Sequence, residues 1–252
     1  MKPVAFQLKM IIIILTALLL AGCNSDYEWG WYILSPQTET GRTNLSFLID
    51  GFLFTLGISV TAFVLAMFAG LLVALPGLSE LKGVRLINRI YVETLRSIPV
   101  LVMILWIYYG LPIVTGIELP AFAAAVVALA LCESAFHAEI FRGGIQAVNS
   151  GQFEAADSLG LSYARKMQLI VLPQAIRNML PPLANQFVYM LKMSSLASVI
   201  GVQELTRRAN ELQVSEYRAM EIYSFLVMEY LVLVLLFSFL ARKLEKRMRQ
   251  PA

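Results

Sequence analysis

Charged residues are scarce in this chain, and histidine and cysteine are scarcer still. Of its 252 residues, 15% are charged and 58% are apolar, and the mean hydropathy is +0.70. A soluble domain is nearer about a quarter charged, so the composition indicates a polytopic membrane protein. One histidine and two cysteines argue against a zinc centre of several imidazoles and against a disulfide framework.

The chain also lacks the signatures of catalysis and of nucleic-acid binding. No Gly-Lys dipeptide occurs anywhere, so the phosphate-binding pattern GxxxxGK[ST] is missing and this chain is not an ATPase. No nucleophile–base arrangement or metal cluster points to an enzyme. The basic residues are spread over short loops without a base-stacking motif, which excludes nucleic acid as a partner. We therefore expect no catalytic residue, metal or cofactor in this chain.

The first 23 residues combine two lysines with a short apolar run. Lys2 and Lys9 precede residues 10–22, and these 13 residues are short for a helix that crosses about 30 Å. A run of this length is typical of a signal peptide. The ending LAGC resembles a bacterial lipobox, in which Cys23 would be lipidated and become the new N-terminus. The alternative is an uncleaved signal anchor, and both interpretations leave residue 24 outside the cytoplasm.

Residues 23–49 are predicted to form a polar linker outside the cytoplasm. Four aromatic residues cluster in it, Tyr27, Trp29, Trp31 and Tyr32. Because tyrosine and tryptophan prefer headgroup depth, we expect this segment at the membrane–water boundary.

Five further apolar segments predict transmembrane helices, at about 50–75, 98–115, 119–141, 181–200 and 222–241. The first is expected to stop at Pro76, and the fourth to begin at Pro181 and Pro182, since proline suits a first helical turn. With residue 24 outside, the inner segments hold thirteen lysines and arginines and the outer segments four, as the positive-inside rule requires. The predicted fold is an all-α polytopic membrane protein. Its transmembrane domain covers 50–241, its N-terminus is outside, and a basic tail, 242–252, lies inside.

The longest inner loop contains the amphipathic stretch FEAADSLGLSYARKMQLIVLP, residues 153–173. Asn149 or Ser150 can cap a short helix whose first turn is expected to carry Glu154 near the positive dipole end. Gly160 can adopt the left-handed conformation that ends this helix. A second helix is expected over about 162–171, with Pro173 as its stop. The stretch thus predicts a helix–Gly–helix elbow on the cytoplasmic side.

The elbow also carries a pattern at fixed spacing: EAA, three residues, G, nine residues, I, one residue, LP. This pattern resembles the cytoplasmic loop of the permease subunits of bacterial binding-protein-dependent ABC importers. Residues 90–104, 138–148 and 192–205 are similar to the polar amino-acid uptake branch of that family. The resemblance covers about residues 45–248, and the N-terminal extension departs from it.

The resemblance implies a multi-pass protein of the bacterial inner membrane that works with separate ATPase subunits, which bind the ATP. It places ATPase coupling in the loop 149–173, on Glu154, Ala155, Ala156, Gly160, Leu161, Ile170, Leu172 and Pro173. It further implies a second permease subunit, identical or related, and a periplasmic amino-acid-binding protein. The charged outer segment 201–221 is either the docking surface of that protein or a solvated loop.

Ionisable side chains within the predicted spans are costly and often face a pathway or a partner. The residues considered for a substrate pathway are Glu133, His137, Lys192, Ser194, Ser195 and Glu229. Glu133 and His137 lie four residues apart on one helical face and could share a proton. The alternative is that these two form an internal pair, that Glu139 pairs with Arg142, and that Lys192 forms a structural ion pair.

Two other functions fit part of the sequence. A stand-alone secondary transporter or channel would use Glu133 and His137 for proton coupling, but the predicted spans show no obvious internal repeat and the elbow would have no purpose. A lipid-anchored scaffold would explain Cys23 but not the polar groups within the spans.

Overall fold

The computed structural model describes residues 27–79 and 81–248, and every regular element in that part of the chain is helical. A 3₁₀ turn, Trp31–Leu34, precedes α1 (Glu39–Gly77) and α2 (Lys82–Ser97). Next come α3 (Val100–Leu105), a π turn (Trp106–Gly110), α4 (Leu111–Thr115) and α5 (Ala121–Gln146). The elements that follow are α6 (Ser150–Ser158), α7 (Tyr163–Lys166), a second π turn (Met167–Val171), α8 (Leu172–Met193), a 3₁₀ segment (Ser194–Ile200), α9 (Leu205–Glu216) and α10 (Ala219–Met248). The predicted signal or anchor segment, 1–22, and Cys23 lie outside the described residues.

Three of these helices, α1, α5 and α10, are long and apolar enough to cross a membrane. A fourth span results if α2 and α3–α4, bent by 97° at the break between them, are taken together. The helical, polytopic character expected from the composition is therefore present. The predicted span 181–200 covers only the second half of α8 and the 3₁₀ segment after it, so five spans with the N-terminus outside stay a prediction.

The helix α1 ends at Gly77, beside Pro76 as expected, but it begins at Glu39, inside the segment predicted to be a linker. Thr38 caps it, because its hydroxyl oxygen accepts a hydrogen bond from the Gly41 N–H at 3.0 Å. Glu39 in the first turn adds a favourable interaction with the helix dipole. The first helix thus extends beyond the predicted span 50–75 into the segment predicted to be a linker.

The prediction that a helix begins at Pro181 and Pro182 was wrong. Both prolines lie inside α8, which begins at Leu172. Each proline lacks the N–H that would bond to the carbonyl four residues earlier. Such prolines are tolerated in helices packed among other helices, where neighbouring groups compensate the freed carbonyls. The helix α8 packs between α5 and α10.

The centre of the structure is the crossing of α1 and α5, which Gly70 makes close. A Cβ at Gly70 would lie 2.6 Å from the Cβ of His137 and 3.0 Å from the carbonyl oxygen of Ser134. The part of α5 beside Gly70 carries two buried alanines, Ala135 and Ala138. Small residues at such a crossing let the two backbones approach, as is common in membrane helices.

At the N-terminal end of α1, the chain forms a compact layer that we call the α9 end. It comprises the 3₁₀ turn Trp31–Leu34, the start of α1, α9 and the start of α10. Buried side chains from all four elements form its core: Ile33, Leu34, Leu48, Ala209, Leu212 and Ile222. The predicted outer segment 201–221 therefore holds a folded helix rather than a solvated loop.

Candidate functional site

The stretch 149–173, which we call the elbow, begins with α6. The Asn149 side-chain oxygen accepts a hydrogen bond from the Gly151 N–H at 2.8 Å and so caps the helix, as predicted. Glu154, however, lies in the second turn of α6, since the first turn holds no acidic residue. The favourable interaction expected between Glu154 and the positive end of the helix dipole is therefore weaker than the sequence suggested.

Gly160 ends α6 in the left-handed conformation, with φ +66°. The Leu161 N–H donates to the Ala156 carbonyl at 3.1 Å, and the Gly160 N–H donates to the Asp157 carbonyl at 2.9 Å. These two bonds are the Schellman pair that satisfies the last carbonyls of a helix. No atom outside its immediate neighbours lies within 4 Å of a Cβ built at Gly160, among the described residues.

The second half of the elbow does not stop at Pro173, contrary to the prediction. The helix α7 passes through the π turn Met167–Val171 directly into α8, whose second residue is Pro173. The Leu172 N–H bonds to the Met167 carbonyl, five residues earlier. This wider turn ends two residues before Pro173, which has no backbone N–H to donate. The elbow is therefore continuous with α8.

One face of the elbow packs into the protein. Ala156 is fully buried, and Phe153 and Met167 pack against a cluster that includes the buried Val171. An ion pair joins the two short helices, with Lys166 Nζ 2.6 Å from Asp157 Oδ1.

The opposite face of the elbow is exposed and partly apolar. Leu159 is 75% exposed, Tyr163 74% and Leu169 64%. Of the predicted coupling residues, only Ala156 is buried; Leu161 and Ile170 are half-buried, and Glu154, Ala155, Gly160, Leu172 and Pro173 are exposed. The arrangement therefore presents most of the predicted coupling set on an accessible surface.

Within α5, Glu133 and His137 are both fully buried, but their side chains do not pair. His137 Nδ1 lies 2.7 Å from the Glu133 backbone carbonyl oxygen and donates to it. The Glu133 carboxylate instead accepts a hydrogen bond from the Gln186 side chain of α8. Glu133 Oε1 and His137 Nε2 have no hydrogen-bond partner among the described residues. The expectation of a shared proton is not supported by this geometry.

The other predicted pathway residues are not brought together into one site. The Ser194 and Ser195 hydroxyls donate to the backbone carbonyls of Leu191 and Lys192. Lys192 is exposed and lies over the Tyr189 ring, 5.9 Å from its centroid. Glu229 Oε2 is buried without a partner in the described part of the chain.

The alternative predicted for Glu139, an ion pair with Arg142, is confirmed. Arg142 donates to both carboxylate oxygens of Glu139, at 3.0 and 2.7 Å. This fork-to-fork pairing holds both charges at the end of α5. Glu139 is thus satisfied internally.

Two polar residues with buried contacts escaped the sequence reasoning. Gln186, the partner of Glu133, carries no sequence signal, because the pair joins residues 53 positions apart. Glu204 is fully buried and caps α9, accepting bonds from the N–H groups of Thr206 at 3.0 Å and Arg207 at 2.7 Å. An acid directly before an amphipathic stretch is a helix-start signal that could have identified it.

The long apolar helices and the exposed elbow fit the membrane subunit of a transporter. The family model described as "Binding-protein-dependent transport system inner membrane component" matches residues 62–250. The chain therefore belongs to this family, and the resemblance drawn from the elbow pattern is confirmed.

Individual relatives agree with this assignment. The chain is 38% identical over 206 residues to the glutamine transport system permease protein GlnP of Escherichia coli (strain K12), covering 80% of this chain and 93% of that one. It is 32% identical over 205 residues to the arginine transport system permease protein ArtQ of Bacillus subtilis (strain 168), covering 81% and 94%. A chain in the crystal structure of an amino acid ABC transporter with histidines is 43% identical, with a TM-score of 0.77, covering 82% of this chain and 96% of that one.

Proposed function

We propose that this chain is the membrane subunit of an ATP-driven importer that carries polar amino acids of the glutamine and arginine type across the bacterial inner membrane. The relatives named for glutamine and arginine transport support the substrate class. ATP would be bound and hydrolysed by separate ATPase subunits, and a periplasmic amino-acid-binding protein would deliver the substrate. A second permease subunit, identical or related, would complete the pathway.

The exposed face of the elbow is the observation that carries the coupling part of this proposal. Leu159, Tyr163 and Leu169 are large side chains of the elbow that are mostly exposed, and open space surrounds a Cβ added at Gly160. Monomeric surfaces rarely leave such groups together unless a partner covers them. Because α7 continues into α8 without a break, a displacement of the elbow would move a helix that packs on α5 and α10.

The Glu133–Gln186 contact is the strongest candidate for a polar group on the substrate pathway. Its unpartnered Oε1 can accept a hydrogen bond from an ammonium group once the helices separate. The stand-alone transporter gains no support, because the His137 ring is bonded to a backbone carbonyl rather than to the Glu133 carboxylate.

The variant Gly160→Asp tests the coupling role. Aspartate tolerates the left-handed conformation better than most residues, so the fold should persist. Burying its unpaired carboxylate against a partner should lower ATPase recovery at least about tenfold, since a loss of about 1.4 kcal/mol is sufficient for that factor. The tagged chain would be pulled down from native membranes in mild detergent, and its partners identified by mass spectrometry.

Gly116→Asp is the matched control. Gly116 also has a positive φ, +73°, and also has no atom within 4 Å of an added Cβ among the described residues. It lies in the turn between α4 and α5, away from the elbow. Retained ATPase recovery with Gly116→Asp and lost recovery with Gly160→Asp is the expected result. Equal recovery with both, or uptake that continues without ATP, would contradict the proposal.

A further inference from the structure

A cavity of about 490 Å³ lies between α2 and the ends of α1 and α5 that are nearest the elbow. Five cationic side chains line it: Lys82, Arg85, Arg89, Arg96 and Arg142. Only two acids, Glu93 and Glu139, stand among them. We call this space the basic cavity.

Both acids of the basic cavity are already paired. Arg142 binds Glu139 through two hydrogen bonds, and Arg89 Nε lies 3.2 Å from Glu93 Oε1. Within residues 27–79 and 81–248, Lys82 and Arg85 form no salt bridge. Among the described residues that line it, the cavity therefore holds more positive than negative charge.

The remaining cation, Arg96, is held in place by an aromatic ring. Its guanidinium lies 5.0 Å from the centroid of the Phe136 ring. A cation over a ring keeps its full charge and much of its hydrogen-bonding capacity. Arg96 thus adds a third positive group to the wall of the cavity.

The helix that forms one wall, α2, has a second, apolar face. Leu86 is 57% exposed, Ile87 72% and Ile90 57%, while Val92 on the inner face is buried. Leu86 belongs both to this exposed face and to the lining of the basic cavity. A helix with an inward face, an apolar outer face and a basic face is typical of helices that lie in a membrane interface.

We propose that the basic cavity binds the headgroup of an anionic phospholipid of the cytoplasmic leaflet, with its acyl chains along Leu86, Ile87 and Ile90. The distribution of lysine and arginine, on which the proposed function also rests, predicts that the basic cavity lies on the cytoplasmic side of the membrane. Lys82 and Arg85 contact the phosphate, and Arg96 adds a further positive charge from the same helix. A soluble anion would use the charges but leave the apolar face of α2 without a purpose. Basic pockets between membrane helices on the cytoplasmic side are suited to such headgroups.

The test uses the assembled transporter with its ATPase, purified in detergent and exchanged into nanodiscs of phosphatidylcholine. Fluorescent phosphatidylglycerol is titrated into wild type and into the double variant Lys82→Gln/Arg85→Gln. Loss of both charges should weaken phosphatidylglycerol binding about tenfold or more. Inorganic phosphate should not displace the lipid.

The matched control is Arg242→Gln/Lys243→Gln, which removes two exposed cations of the same charge from α10. Unchanged binding in this variant is expected. Equal weakening in both double variants, no weakening in Lys82→Gln/Arg85→Gln, or displacement of the lipid by inorganic phosphate would each overturn the proposal. ATPase recovery is measured in the same preparations. A wild-type chain without ATPase would contradict the proposed function, whereas the lipid titration still reports on the basic cavity.

Discussion

The α9 end and the elbow are built from similarly short helices, yet only one of them is completed within the chain. At the α9 end, Leu212 is 5% exposed and Ala209 is fully buried. At the elbow, Leu159 and Tyr163 are about three-quarters exposed, at 75% and 74%. The α9 end derives its stability from its own core, whereas the elbow leaves apolar surface that a partner would have to cover.

Polar contacts repeat this contrast. At the α9 end, the buried Glu221 carboxylate accepts hydrogen bonds from the Tyr27 hydroxyl and the Gly30 N–H, both at 2.5 Å. The Asn44 side chain donates to the Ile33 carbonyl at 3.0 Å and to Glu216 at 3.1 Å. At the elbow, the side-chain ion pair between the two short helices joins Lys166 to Asp157, whose side chain is 60% exposed. An exposed pair of this kind contributes at most about 1 kcal/mol.

Truncating one leucine at each end should give the largest difference. Leu212→Ala should lower the free energy of unfolding by about 2–4 kcal/mol, because it leaves a cavity in a packed core. Leu159→Ala should change that free energy by less than about 0.5 kcal/mol, since the side chain is already exposed. Denaturant unfolding of the purified chain in micelles measures both.

The same two variants should rank oppositely for ATPase recovery in the pull-down. Leu159→Ala should recover less of the ATPase, whereas Leu212→Ala, where it has folded, should still recover it. Similar stability losses for the two leucines would show that the elbow is as well packed as the α9 end, and the contrast between the ends would fail.

A change of pH should affect the α9 end next most strongly, through Glu204. Burial raises the pKa of Glu204 from 4.5 to about 7, although hydrogen bonds from the Thr206 and Arg207 N–H groups oppose the shift. The folded state therefore keeps a proton that the unfolded chain has released. The contribution of Glu204 to stability should be fully present below pH 4.5, fall as the pH rises from 4.5 to about 7, and level off above that.

Glu204→Gln should remove this part of the pH dependence, because glutamine does not titrate. Thermal unfolding of wild type and variant across this pH range provides the measurement. The melting temperature of the variant is compared only with its own values at other pH, because glutamine also changes the cap of α9. An unchanged slope with pH would show that Glu204 does not titrate in this range.

The smallest effect is expected for the exposed tryptophans of the α9 end, whose replacement should leave the stability nearly unchanged. Trp29 and Trp31 stack with ring centroids 5.6 Å apart and are 54% and 47% exposed. The chain has three tryptophans, so Trp106→Phe leaves only this stacked pair as the indole signal. Lipids brominated near the headgroup should quench its fluorescence more than lipids brominated deep in the acyl chains.

The reciprocal variant Trp29→Phe/Trp31→Phe, which keeps Trp106, is the control for that measurement. Quenching of the Trp29–Trp31 pair by an aqueous quencher alone would place it in water, away from the membrane–water boundary.

Features that depend on near neighbours in the chain were predicted well. Asn149 caps α6, and Gly160 ends it, because both roles involve residues only a few positions away. The family pattern lies in the same stretch and gave the protein class. By contrast, a proline appears locally to be a helix stop, and both Pro173 and Pro181 are exceptions. Whether a helix continues through proline depends on the turn before it and on the helices around it.

The sequence by itself determined that this is a helical membrane protein of the permease family and where its elbow turns, because composition, hydropathy and fixed spacing are properties of the linear chain. Only the tertiary structure decided which polar groups meet. It paired Glu133 with Gln186 rather than with His137, packed α9 against the start of α1, and placed Lys82 and Arg85 in a cavity whose two acids are paired with other arginines. These outcomes depend on the crossing of helices distant in sequence, and the hydrogen bonds and charges of one helix do not specify which neighbour it will pack against.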